Sequence, residues 1–313
     1  MLDVKRLRVL REVAAQGSFS AAADALAYTQ SAVSQQIAVL EREAQTKLVE
    51  RTARGVHLTD AGEALVRHAE VILARLSDAE AELEAIAGLR GGRLRIVAFP
   101  SAGATLAPRA IAIFRDMHPG VDLTLIPGEP HEGLAALKAG DTDIALLIET
   151  GFDRVHDEGI ERTHVMSDPM YVLLPAGHAL AQRPRLRLSD LADEAWIMGS
   201  TASLSCPDGQ ILMRACQGAG FEPRIAFNSD DYNAIQGFVA AGMGVSLIPD
   251  LALLALRDDV VVRSLGRRPP ARNIVAATLA GGYCSPSKQA MLEILCEVGQ
   301  EFEGKRESLV LAS

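Results

Sequence analysis

Residues 17–59 read GSFSAAADALAYTQSAVSQQIAVLEREAQTKLVERTARGVHLT. Just before them, residues 4–16 place Leu7, Val9, Leu10, Val13 and Ala14 on one face at helical spacing. Gly17 stops that helix and Ser18 is suited to cap the next. The second helix, residues 19–27, is short and Ala-rich, so another helix can approach it closely. Tyr28-Thr29 is a bend, with Thr29 as the cap of a third helix over residues 30–43. Val33, Ile37 and Leu40 form the buried stripe of that helix, at spacings of 4 and 3. Its opposite face carries Gln30, Ser31, Ser34 and Gln35. Residues 49–51 and 56–58 read as two strands of a wing, with Arg54-Gly55 at the tip, where Gly permits the turn.

This order of elements predicts a winged helix-turn-helix, whose recognition helix, here the third, lies in the major groove of DNA. Uncharged Gln and Ser side chains can hydrogen-bond base edges, and Gln can bond adenine through two atoms. Arg51 and Arg54 can reach a phosphate or the minor groove. A lone Gln/Ser face is most often only solvated. The bend, wing and basic tip, in sequence, favour the DNA reading.

The segment resembles the N-terminal domain of the LysR-type transcriptional regulators. The resemblance rests on Gly17-Ser18-Phe19-Ser20, Ala22-Ala23, Leu26, Gln30, Ala32-Val33-Ser34, Gln36-Ile37, Leu40-Glu41, Leu48, Glu50-Arg51 and Leu58-Thr59-Asp60-Ala61-Gly62. It implies that Gln30, Ser31, Ser34, Gln35 and Arg54 face DNA. The family usually has Pro where Ser31 stands, often Arg where Gln35 stands, Leu-Gly in place of Ala44-Gln45, and Phe in place of Val49. The first two departures fall on the expected DNA face, so they bear on base preference rather than fold.

The chain has 313 residues, enough for two or three domains, and a net charge of −9. Residues 1–60 hold eight Lys/Arg and seven Asp/Glu, so nearly all the negative charge lies beyond them. DNA affinity must then come from local placement of Arg51, Arg54, Lys5, Arg6 and Arg8, and from paired binding. Hydrophobic residues make up 49% and aromatics only 4%. That suits an aliphatic α/β core and argues against an aromatic platform for single strands. No apolar run approaches the ~20 residues of a membrane span, and charges interrupt the first dozen positions where a signal core would stand. The expected location is the cytoplasm, where four Cys do not make a disulfide framework.

A long helix is expected next, capped by Thr59, with Asp60 and Glu63 at its positive end. Leu65, Ala69, Ile72, Leu76, Ala79, Leu83 and Ile86 recur at alternating spacings of 4 and 3, a coiled-coil seam. About 28 helical residues span about 42 Å. A soluble helix of that length, otherwise charged, calls for a partner along its stripe, with packing on its own chain the alternative. The resemblance implies a dimerisation helix, two half-sites in a dyad-symmetric duplex, and the tetramer common in the family. Residues 88–92, GLRGG, read as a hinge. The division is therefore 1–59 (winged helix-turn-helix), 60–88 (linker helix) and 89–313 (effector-binding).

After the hinge, strands and helices alternate as βαβαβ through residues 94–148, which predicts a parallel sheet with right-handed crossovers. A second set covers strands at 170–174, 196–198, 224–227, 245–248 and 260–265, with helices at 209–219 and 232–241. Strand 273–279 and helix 286–303 close the chain. We read two α/β lobes, the first about 93–165 with 269–303, the second about 166–268. Gly220-Phe221-x-Pro223 and Ala241-Gly242-x-Gly244-Val245-x-x-Ile248-Pro249 extend the resemblance to the two-lobed effector domain shared with periplasmic binding proteins.

Ligands of such lobes bind beyond the carboxyl ends of parallel strands. The candidate effector residues are Ser101, Ala102, Gly128, Glu149, Thr201, Ser203, Asn228 and Pro249. For any single Ser, Thr or Asn among them, helix capping is the commoner role. Backbone N–H groups at the following helix starts would favour an anion such as a carboxylate, although no Arg or Lys stands at these strand ends.

The chain lacks GxSxG, GxxxxGK[ST], HExxH and GxGxxG patterns, and its seven His form no metal spacing with Cys. The expectation is a non-enzymatic regulator of double-stranded DNA, sensing a small-molecule effector, without cofactor or metal. One alternative is a thiol-based redox sensor using Cys206 and Cys216, since peroxide-sensing members of the family keep a redox pair in this region. Against it, Cys216 falls among Ile211, Leu212 and Ala215. A two-lobed solute-binding protein is the other alternative, and it has no use for a Gln/Ser face with an Arg wing.

Overall fold

In the computed structural model, the described residues are 1–52, 55–86, 92–150, 159–183, 185–199, 207–266 and 268–311. The chain divides into two compact units: Met1–Leu89 with Lys138–Asp141, and Arg90–Leu137 with Thr142–Ser313.

The first unit contains α1 (Val4–Gln16), α2 (Phe19–Ala25), α3 (Gln30–Ala44), β1 (Val49–Thr52), β2 (Gly55–Leu58) and α4 (Asp60–Ile86). Local chemistry sets the helix ends. Asp3 caps α1 by accepting from the Lys5 N–H at 2.8 Å. Gly17, with φ of 59°, ends that helix in the left-handed conformation. Ser18 and Thr29 accept from the Ala21 and Ala32 N–H groups and cap α2 and α3. Helix α2 stops at Ala25, two residues short of the expectation, because Ala27 turns to a positive φ of 53°. The core joins Leu7, Leu10 and Val13 of α1 to Phe19 and Ala22 of α2, Val33, Ile37 and Leu40 of α3, and Leu48. Each large apolar side chain so buried contributes on the order of 1.5–3 kcal/mol.

The wing is tied back to this core. Glu41 of α3 accepts from the Leu48 N–H at 3.0 Å and from Lys47 Nζ at 2.7 Å. Thr59 caps α4 by accepting from the Gly62 N–H at 3.0 Å and donates to the Lys47 carbonyl at 2.7 Å. Gly62 is required there: a Cβ would fall 2.0 Å from the Leu48 carbonyl oxygen.

The expected coiled-coil stripe divides in two. Ala69 is fully buried in the core of the first unit, with Leu65 and Val66 packed against it. Farther along α4, Ile72, Leu76 and Leu83 are 41%, 45% and 64% exposed. The start of the stripe packs on its own chain, whereas Ile72, Leu76 and Leu83 leave apolar side chains in water; the side chain of Ile86 lies outside the described residues.

The second unit begins with β3 (Arg93–Ala98), α5 (Pro100–Ala104), α6 (Leu106–Met117), β4 (Asp122–Pro127), α7 (Pro130–Lys138) and β5 (Ile144–Glu149). Next come β6 (Ile160–Pro175), β7 (Ala195–Met198), α8 (Pro207–Gly218), β8 (Arg224–Asn228), α9 (Tyr232–Ala240) and β9 (Val245–Pro249). It ends with β10 (Val260–Arg263), β11 (Ala271–Leu279) and α10 (Pro286–Leu311). The strand order is β4-β3-β5-β11-β6-β9-β7-β8, with β10 paired to β6. Strands β3, β4 and β5 are mutually parallel, as are β7, β8 and β9.

Strand β6 serves both halves. Through Pro169 it pairs with β11, and from Met170 onward with β9. The switch between lobes therefore falls at 169–170, later than the 165–166 read from sequence. One lobe buries Leu94, Ile96, Phe99, Phe114, Ile144 and Leu146 under α6 and α10. The other buries Trp196, Met198, Leu212 and Val245 around α8. Gly244 sits where β7 and β9 come closest, with φ of 156°, and a Cβ there would lie 2.5 Å from the Ala195 carbonyl oxygen.

Candidate functional site

Two sites follow from this framework, one in each unit. In the first, α3 turns Val33, Ile37 and Leu40 inward, and the geometry of a 3.6-residue repeat turns the intervening positions out. Gln30, Ser31 and Gln35 are exposed and Ser34 is half-buried. Ser31 shares a 3.0 Å hydrogen bond with Thr29 Oγ1, which holds its hydroxyl at the helix start. Lys5 and Arg8 of α1 are exposed. Arg6 is engaged instead: its Nη1 donates to Glu43 at 2.5 Å and its Nε to Gln36 at 3.2 Å. It is the ion that joins α1 to α3, so its charge is spent inside the unit. The side chain of Arg51 and all of Arg54 lie outside the described residues.

Burial raises the Glu41 carboxyl, but the hydrogen bonds from Lys47, Leu48 and Val49 outweigh it and hold the group below the ordinary carboxylate range. A charged Glu41 therefore fixes the wing relative to α3.

In the second unit, the strand-end candidates do not converge as a set. Ala102 is fully buried in a lobe core. The Gly128 N–H is committed to the Ala98 carbonyl at 3.1 Å. Glu149 is paired with Arg162 at 3.1 Å. Pro249 is a buried partner of Met170, and Asn228 is exposed at the end of β8. Thr201 and Ser203 lie outside the described residues. Ser101 alone enters a polar cluster, and the centre of that cluster is a residue that sequence reasoning missed.

That residue is Arg272, 1% exposed at the start of β11. Its Nε donates to Asp168 at 2.9 Å, its Nη1 to Asp208 at 3.1 Å and to the Tyr232 hydroxyl at 3.3 Å, and its Nη2 to Ser101 at 2.7 Å. Tyr232 donates in turn to Asp208 at 2.5 Å, and the guanidinium lies 5.3 Å from the Phe99 ring centroid. The strand ends named from sequence carry no Arg or Lys, but the fold brings Arg272 to Ser101 from the start of β11. Strand β11 runs antiparallel to β5, so its amino end lies where the parallel strands have their carboxyl ends. Asp168 stands at the lobe switch, Ser101 on α5, and Asp208 and Tyr232 on α8 and α9. One guanidinium therefore ties both lobes.

Burial works against the Arg272 charge, but Asp208, Tyr232 and Asp168 outweigh it and raise its pKa further. Burial likewise raises the Asp168 carboxyl, and Arg272 opposes that rise. Arg272 thus favours the ionised carboxylate and burial the neutral one.

Comparison with known proteins supplies the context. Residues 4–63 match the bacterial regulatory helix-turn-helix protein model of the lysR family, and residues 87–300 match the LysR substrate binding domain. This chain belongs to the LysR family of transcriptional regulators. Among LysR relatives, the probable HTH-type transcriptional regulator LrrA of Synechococcus elongatus is 32% identical, over 96% of this chain and 98% of that protein. The transcriptional dual regulator GltC of Bacillus subtilis is 30% identical, over 80% and 81%. Of solved LysR structures, full-length BenM superposes with a TM-score of 0.60 at 25% identity, covering 97% of this chain and 98% of that one.

The redox alternative is tested by the LysR chain's own thiols. Cys216 is fully buried on α8, and burial pushes its pKa up to about 12. A reactive thiol needs the opposite shift and access to solvent. Cys206 lies outside the described residues.

Proposed function

We propose that this LysR-family regulator reads a dyad-symmetric duplex with the Gln30, Ser31, Ser34 and Gln35 face of α3, supported by Arg51 and Arg54 of the wing. The observation that carries the reading is that face itself: uncharged hydrogen-bonding side chains, exposed on a helix whose other side is locked in a closed core. Residues 1–59 act as the DNA-binding domain and 60–88 as the linker. The exposed Ile72, Leu76 and Leu83 of α4 supply the seam on which two copies pair. Residues 89–313 sense a small-molecule effector at the lobe switch. Effector binding changes lobe closure to the extent of its differential affinity for the two states. The protein works in the cytoplasm beside its DNA and carries out no catalysis.

Footprinting of the full chain on a selected duplex tests this. Two protected half-sites, separated by about one or two helical turns, are expected. A single protected half-site at saturating protein rejects paired binding.

A further inference from the structure

We infer that the second unit has a further ligand site, apart from the lobe switch, that takes a small carboxylate with an apolar body, such as a medium-chain fatty acid. It lies between the later turns of α8 and the segment that joins β10 to β11.

That segment, residues 265–272, reads LGRRPPAR: three Arg and no acid, in a chain whose net charge is −9. Pro269 and Pro270 fix its backbone, and the Pro270 carbonyl accepts from the Met170 N–H at 2.8 Å. Just before it, the Ser264 carbonyl accepts from the Leu186 N–H at 3.0 Å. The segment is thus anchored at both ends, and with α8 it bounds a cavity of about 590 Å³. Sites for small molecules enclose about 300–1,000 Å³. The walls are fixed by the chain itself, so a ligand need not order them.

The lining sorts into two chemistries. Leu188, Ile211, Leu265 and Pro269 give it an apolar floor, and the first three continue into the core around Trp196. The charged residues of the lining are Arg214 and Arg268, both exposed. No lining residue has a carboxylate, hydroxyl or amide side chain. A cation therefore meets like charge, and a polyol finds no side-chain acceptor to replace the water it gives up. A carboxylate meets guanidinium donors in the planar fork that suits it. An aliphatic body displaces water from the floor, which a bare inorganic anion would leave uncovered.

The cavity also borders the tie between the lobes. Helix α8 carries Asp208 in its first turn, where it accepts from Arg272. Ala271 lines the cavity and directly precedes Arg272. A molecule seated there braces the two elements from which Asp208 and Arg272 extend.

Calorimetry on the full-length protein, with three probes, tests this. Octanoate has both parts, 1-octanol has the body without the charge, and acetate has the charge without the body. Saturable binding of octanoate is expected, at least tenfold tighter than that of either other probe. Arg214→Gln combined with Arg268→Gln should weaken octanoate at least tenfold. Both side chains are exposed, so the variant should unfold at the parent's temperature. Ser101→Ala, at the lobe switch, should leave octanoate affinity within about twofold of the parent's. The inference is overturned if octanoate does not saturate, if octanol or acetate binds as tightly, or if the double Arg variant keeps the parent's affinity. Octanoate binding that is lost in Ser101→Ala and kept in the double variant belongs to the lobe switch and rejects this cavity.

Discussion

Replacing Arg272 by Met removes the one cation that Asp168 and Asp208 share while keeping most of the side-chain volume. Asp168 is 0% exposed and Asp208 6%, so neither carboxylate can turn to bulk water. Breaking a buried pair in this way costs about 3–5 kcal/mol, because an uncompensated charge is left inside. In a unit of this size, each kcal/mol lowers the melting temperature by roughly 2–4 °C, so the expected fall is roughly 6–20 °C. The chain contains a single tryptophan, and Trp196 lies fully buried in the lobe that holds Asp208. Its fluorescence during urea unfolding therefore reports the second unit. The loss has a pH dependence of known sign. Burial already raises the folded pKa of Asp168 above its unfolded value, and without Arg272 the Leu251 N–H is left to oppose that rise. Such a group favours the folded state most below its unfolded pKa of about 3.9, and the benefit disappears as pH rises through the folded value. The deficit of Arg272→Met should therefore be smallest near pH ~4 and grow toward pH ~7. Adding Asp168→Asn should recover part of it. A variant within about 1 kcal/mol of the parent at neutral pH, or a deficit that does not change with pH, refutes the account of the cluster.

Three further outcomes follow from the same structure. Glu41→Gln should cost about 1–3 kcal/mol at neutral pH, measured by urea unfolding of the first unit. Because the Glu41 pKa is depressed on folding, its contribution is present above the unfolded value of about 4.3 and is lost as pH falls through the folded one. Parent and variant should therefore converge in acid, and a constant gap would count against the wing tie. Leu76→Glu puts a charge in the exposed stripe of α4, and sedimentation should show dimer dissociation strengthened at least tenfold; an unchanged distribution removes the seam. Cys216 should resist Ellman's reagent until the protein unfolds, and peroxide acting on this thiol should leave DNA affinity unchanged. Rapid labelling of the native Cys216 would reopen the redox reading.

Much of the fold was legible because its signals are local. The stripes of α1 and α3, the caps at Ser18 and Thr29 and the glycine stop at Gly17 each involve residues within one or two helical turns. The alternation of strands and helices in the second unit was legible for the same reason. The first half of β6 was missed because Asp168 and Pro169 interrupt its apolar pattern, and they do so where the strand changes partners. The division of the α4 stripe was hidden because heptad spacing does not say which partner covers each position.

The Arg272 cluster was invisible for another reason. Its partner Ser101 lies 171 positions away, and only antiparallel pairing brings the start of β11 to the ends of the parallel strands. A usable signal did exist: Arg272 is the one charged residue of ARNIVAATL, and Asp168 stands directly before the apolar run that ends β6. Charges of opposite sign in neighbouring buried strands are expected to meet. Scanning only the carboxyl ends of strands passed over that pair.

The central claim is that the outward face of α3 reads bases. Selection of preferred duplexes from a random pool, at one fixed salt concentration, tests it most directly when the parent is compared with the Gln30→Ala, Gln35→Ala double variant. Both positions are exposed, so the variant should remain a folded oligomer. The parent should enrich a dyad-symmetric motif, whereas the variant keeps its salt-dependent binding and loses the enrichment. Enrichment of the same motif by both proteins would contradict the account.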